Sequence, residues 1–150
     1  MDVLILRDPR EAWKKCSLGG LRGNSEVRFV SYNPRHRVDA GGRILLHPDG
    51  EELTEADRGS DLFVVDCAWR RLPTLLRTVD GPLRLRRVPH YQTAYPRKNK
   101  KMFDPSTGLA SIEALYAAAL LLGEPRAQWL AEYHFAEAFL LANPSLRSHE

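Results

Sequence analysis

Four consecutive residues, Asp66-Cys67-Ala68-Trp69, place a carboxylate, a thiol and an indole directly after the apolar run Leu62-Phe63-Val64-Val65. That run shows no alternation of polar and apolar residues, as expected of a strand covered on both faces of a parallel sheet. In open α/β sheets ligands bind at the carboxyl ends of strands, so Asp66 and Trp69 are expected to form one wall of a small-molecule pocket. Taken alone, the same residues also suit a helix cap and a core aromatic.

A second group follows the run Leu83 to Arg86. The segment Arg87-Val88-Pro89-His90-Tyr91-Gln92-Thr93-Ala94-Tyr95-Pro96 is rich in side chains that stack or hydrogen-bond, and it leads into Arg97-Lys98-Asn99-Lys100-Lys101. Between Leu83 and Phe103 stand seven cations (Arg84, Arg86, Arg87, Arg97, Lys98, Lys100 and Lys101) and no carboxylate, although the whole chain carries only +3. Cations that hold phosphates beside aromatics that stack on bases are the means by which single-stranded nucleic acid is bound. Arg84, Arg86, Arg97, Lys98, Lys100 and Lys101 are therefore the expected RNA contacts, the alternative being a solvated loop. His90 fits either a general base or a hydrogen-bonded loop residue.

Other chemistries find little support. Cys16 and Cys67 are too few for a disulfide framework, and the five histidines show no metal-ligand spacing, so reduced thiols and no metal are expected. Lys14-Lys15-Cys16-Ser17-Leu18-Gly19-Gly20 lacks the spacing of dinucleotide and P-loop sites, and GxSxG and HExxH are absent. Glu113, in the first turns of an apolar helix, is accounted for by the helix dipole alone.

The elements that must hold these groups are short. Runs at Val3 to Leu6, Val27 to Val30, Arg43 to Leu46, Leu62 to Val65 and Leu83 to Arg86 predict strands, with polar turns such as His47-Pro48-Asp49-Gly50 between them. Leu109, Ile112, Leu115, Tyr116, Ala119 and Leu120 predict a helix stopped by Gly123, and a second helix is predicted from Pro125 to Asn143. This order predicts an α/β layered domain spanning residues 1–150. With 43% apolar residues and no apolar run long enough for a bilayer, no membrane span is expected. The opening Met1-Asp2-Val3-Leu4-Ile5-Leu6-Arg7 reads as a strand, so a cytoplasmic location is expected.

Several of these pieces together resemble one family, the S-adenosylmethionine-dependent aminocarboxypropyltransferases that modify small-subunit rRNA, relatives of the DTW-domain enzymes acting on tRNA. Asp66-Cys67-Ala68-Trp69 resembles the family's Asp-Cys-Ser-Trp, and Lys15-Cys16-Ser17 its Lys-Cys-Thr turn. Leu46-His47-Pro48 and Leu53-Thr54-Glu55-Ala56-Asp57 are similar to its Leu-Ser-Pro stretches. Arg86-Arg87-Val88-Pro89 with Thr93-Ala94-Tyr95-Pro96 resembles Arg-x-Leu-Pro followed by Ala-Ala-Asn-Pro, and Leu109 to Ala114 resembles Leu-Ser-x-x-Glu-Ala. In departure from the family, Tyr95 stands in place of Asn, Ala110 in place of Ser, and the Asn-Tyr-Gly after Pro96 is missing.

The resemblance implies a SPOUT-like α/β domain with a trefoil knot, a mostly parallel sheet with helices on both faces and a helical last third. It implies S-adenosylmethionine as cofactor, surrounded by Ser17, Asp66, Trp69, Val88, Pro89, His90, Tyr91 and Ala94 and closed by Ser111 and Glu113. The reaction implied is transfer of the 3-amino-3-carboxypropyl group to a base nitrogen of uridine or pseudouridine in RNA by a monomer, with Asp66 or His90 as the base. Transfer to tRNA, methyl transfer by a SPOUT methyltransferase, and a non-catalytic RNA-binding module remain the alternatives.

Overall fold

A computed structural model of the chain describes residues 1–13, 16–96 and 108–147. In chain order its elements are β1 (Val3–Arg7), β2 (Val27–Ser31), β3 (Val38–Asp39), β4 (Ile44–Glu52), β5 (Leu62–Asp66), α1 (Leu72–Leu76), β6 (Val79–Asp80), β7 (Arg84–Arg87), α2 (Ser111–Leu121) and α3 (Ala136–Ala142). Five strands form a parallel sheet in the order β2-β1-β5-β4-β7, while β3 and β6 pair as a separate parallel ribbon.

The unbroken apolar runs are explained by their place in the sheet. Side chains along a strand alternate between faces. Val3, Ile5, Leu62 and Val64 enter a large cluster with Leu115, Tyr116 and Phe139, whereas Leu4, Leu6 and Phe63 meet Leu75 and Val38 on the other side. The sheet thus lies between α2 and α3 on one face and α1 with the small ribbon on the other. The α/β class, the parallel sheet and the helical last third are as the sequence predicts.

Two elements differ from expectation. His47 to Gly50 do not turn between strands: Leu46 and Glu51 of β4 both stand opposite Arg86 of β7, and the residues between them bulge out of the ladder. A Cβ on Gly50 would lie 2.5 Å from the Arg86 nitrogen, so the backbones pack there as only glycine allows. The predicted second helix is also divided, a 3-10 turn at Ala127–Leu130 preceding α3. Tyr133 and Phe135 would point about 200° apart on one helix, yet their ring centroids lie 5.9 Å apart. Joint burial of the two aromatics overrides helical continuity. α2 itself stops at Gly123, whose φ of 81° and amide bond to the Leu120 carbonyl make the left-handed C-terminal cap. Among the described residues no helix is long and apolar enough to cross a membrane.

Candidate functional site

Because its strands are parallel, the main sheet presents all its carboxyl ends along one edge. Over β4, β5 and β7 that edge opens into a cavity of about 420 Å³. Trp69, Val88, Pro89, His90, Tyr91 and Ser111, all named by the family resemblance, line it. The cavity also takes in His47 and Pro48 from the β4 bulge, which sequence reading had placed in a turn.

Trp69 opens a 3-10 turn that leads from the end of β5 into α1. Its indole lies beside the His47 imidazole, with ring centroids 5.4 Å apart and planes tilted by 46°. The His47 side chain is only 10% exposed, and its Nδ1 accepts the Asp49 amide hydrogen bond at 3.0 Å. The neutral ring therefore carries its proton on Nε2. Burial pushes the His47 pKa below the ordinary histidine value, against an opposing pull from Asp49. The bulge thus brings a neutral imidazole to the cavity wall.

The segment after β7 is pinned rather than loose. Asn143 clamps the backbone of Gln92, accepting from its amide and donating to its carbonyl, both at 2.8 Å. Glu113, fully buried, gathers the Thr93 hydroxyl at 2.6 Å, the Ala94 amide at 2.9 Å, the Ala110 amide at 2.8 Å and the Tyr133 hydroxyl at 3.0 Å. Burial and the Glu113 carboxylate both push the Tyr133 phenol up, so it remains a donor. Glu113 and Ala94 do not line the cavity themselves. They fix the segment that does. Asn143 and Tyr133 were missed by sequence reading because their partners lie far away in the chain, and no local spacing signals them.

Asp66 and Ser17 likewise stand beside the cavity. Asp66 Oδ2 accepts from Cys16 Sγ at 3.1 Å and lies 3.5 Å from Arg7 Nε. Burial, with the Asp66 charge, pushes the Cys16 thiol up to about 11, and burial with Asp8 and Asp66 pushes Cys67 to about 12. Both remain thiols at neutral pH and offer no thiolate nucleophile. Ser17 Oγ receives the Ile112 amide at the start of α2.

Of the expected RNA contacts, Arg84 donates to the Gly42 carbonyl and Ser60 Oγ, and Arg86 donates to Asp57 at 3.3 Å. Both therefore also tie β7 to neighbouring turns. Arg97, Lys98, Lys100 and Lys101 lie outside the described residues. Among the described residues no group of three or more metal-ligating side chains comes together.

No protein-family model matches the chain, and no curated protein matches it. A solved structure does. The structure of the SAM-dependent rRNA:acp-transferase Tsr3 from Vulcanisaeta distributa superposes with a TM-score of 0.71 at 25% sequence identity, covering 96% of this chain and 79% of that one. The resemblance carried by Asp66 to Trp69 and the Val88 to Ala94 segment is thus matched by a fold shared across nearly the whole chain.

Proposed function

We propose that this chain transfers the 3-amino-3-carboxypropyl group of S-adenosylmethionine to a base nitrogen of uridine or pseudouridine in RNA, with small-subunit rRNA as the substrate. The observation that carries this reading is the strand-end cavity walled by Trp69 and Val88 to Tyr91, on a fold shared with an enzyme of that activity. A trefoil knot of the SPOUT kind, the cytoplasmic location and a monomeric state belong to the same reading.

The cavity suits the cofactor by its chemistry. Among the described residues no carboxylate lines it, and Arg87 is its one lining cation, ion-paired to Glu52 at 3.7 Å. An indole face attracts an onium group, so Trp69 offers a wall to a sulfonium and its methyl. Backbone groups of Val88 to Tyr91 supply donors and acceptors for an adenine edge. When bound, S-adenosylmethionine supplies an activated carbon on a cationic sulfur.

The protein's part is then orientation and proton handling. Trp69 would hold the methyl side of the sulfonium, so that orientation selects which carbon is presented to the acceptor. Asp66 or His90 would take the proton that the acceptor nitrogen loses in the transfer.

Calorimetry with S-adenosylmethionine and mass spectrometry of RNA from cells with and without the protein test the reading. A mass gain of an aminocarboxypropyl group on one nucleotide is expected. A methyl gain would identify a methyltransferase, and RNA binding without heat of cofactor binding would identify a binding module. Trp69→Ala, if folded, should weaken cofactor binding or mix the two products.

A further inference from the structure

The carboxyl edge of the sheet has a second half. β1 and β2 end in Arg7 and Ser31, and over these ends lies a separate cavity of about 340 Å³ whose lining includes Arg7, Glu11, Trp13, Phe29 and Ser31. In the ladder Arg7 pairs with Ser31 on one side and Asp66 on the other. Asp66 therefore stands between Arg7 of this cavity and Val65 and Cys67, which line the other.

Arg7 is the group that asks for a ligand. It is 6% exposed; its Nε faces Asp66 Oδ2 at 3.5 Å without closing a hydrogen bond, and among the described residues its Nη2 has no hydrogen-bond partner. A buried guanidinium N–H left without an acceptor is destabilising, and an oxygen brought by a ligand removes that cost. The rest of the cavity describes the shape of that ligand. The Arg7 and Arg22 guanidinium carbons lie 3.7 and 4.4 Å from the Trp13 ring centroid, and Phe29 meets the indole edge-on at 5.3 Å. Arg22 is exposed and can yield its place over the ring. With the carboxylates of Glu11 and Asp66 close by, an uncharged planar ring bearing a carbonyl fits better than a phosphate.

We propose that this second cavity is the acceptor-base subsite: it takes one unpaired nucleobase of the RNA, with Arg7 donating to a base carbonyl and Trp13 providing the stacking wall. The proposal rests on the transfer reaction inferred above and adds the residues that recognise its acceptor. It places the base on one side of Asp66 and the cofactor on the other.

Nuclear magnetic resonance of the ¹⁵N-labelled full chain reads both halves at once, because each tryptophan indole N–H and the Arg7 Nε–H give separate signals. S-adenosylmethionine should move Trp69, and uridine monophosphate at millimolar concentration should move Trp13 and Arg7. Ribose 5-phosphate, which lacks the base, should move neither of the latter. Trp13→Leu should weaken uridine monophosphate binding by about tenfold while the cofactor midpoint holds, and Arg7→Lys, where it folds, should weaken uridine monophosphate binding by a similar factor. The subsite is overturned if the nucleotide leaves Trp13 and Arg7 unmoved, if ribose 5-phosphate moves them equally, if the cofactor alone moves them as it moves Trp69, or if Trp13→Leu keeps full nucleotide affinity. A silent Trp69 on cofactor addition would instead count against the transfer reaction itself, so the two failures are told apart.

Discussion

Ser17 Oγ accepts the Ile112 amide hydrogen bond at 3.2 Å across 95 positions of sequence. The residue that precedes α2, Ala110, has no side chain able to do this, while the Glu113 carboxylate accepts the reciprocal bond from the Ala110 amide. A capping box, ordinarily local, is here assembled from two distant segments. Ser17→Ala should therefore cost about 1 kcal/mol in urea unfolding, and Ser17→Thr should keep most of it. Because Ser111 lines the cavity proposed for the cofactor, Ser17→Ala should also lower cofactor affinity, whereas an alanine at the exposed Glu132, which packs beside Gly20, should not.

Glu113→Gln replaces one acceptor oxygen with an NH2 group while the Thr93, Ala94, Ala110 and Tyr133 donors stay in place. At least one buried donor then faces another donor, at a cost of about 1 to 3 kcal/mol. The loss should appear in urea unfolding and as faster hydrogen exchange at the Ala94 amide. Unchanged exchange at Ala94 would mean that Asn143 alone holds the segment.

The strands were legible because burial on both faces writes itself as unbroken apolar runs at Val3 to Leu6 and Leu62 to Val65. The strand-end cavity followed from one rule about parallel sheets and from the position of Trp69. His47 was not legible as a wall of the site. Its Pro48-Asp49-Gly50 sequel has the composition of any turn, and only the ladder with Arg86 shows that β4 resumes beyond it. Asp66 was correctly placed at a strand end, but its carboxylate direction depends on Arg7 and Cys16, which no local pattern connects to it.

His47 gives the pocket a pH dependence whose sign can be worked out. Its pKa lies below the ordinary histidine value, so the ring is neutral through physiological pH and gains a proton only on stronger acidification. Protonation places a cation beside Trp69, the wall proposed for the sulfonium, and two cations there repel. Cofactor affinity should thus be flat near neutrality and fall on acidification below the ordinary histidine range. The unfolded chain takes up that proton first, so stability also falls with pH in that window. His47→Gln should remove the affinity decline in calorimetry.

The block Arg97, Lys98, Lys100 and Lys101 brings four positive charges into five residues with no carboxylate among them, which is the strongest electrostatic feature of the sequence. If each contacts one phosphate of single-stranded RNA, neutralising all of them should reduce the slope of log affinity against log salt by roughly 0.7 per contact, or nearly 3 in all. Arg84 and Arg86 should contribute less, because their guanidinium groups already serve Gly42, Ser60 and Asp57. Cofactor affinity should change by no more than a few fold, since S-adenosylmethionine carries no phosphate for lysines to hold. Filter binding of single-stranded RNA at several salt concentrations, run beside cofactor calorimetry on the same variant, separates these terms. An unchanged salt slope would move the RNA backbone path elsewhere, to the arginines Arg22, Arg28, Arg35 and Arg37, of which Arg22 lies over Trp13 at the second cavity.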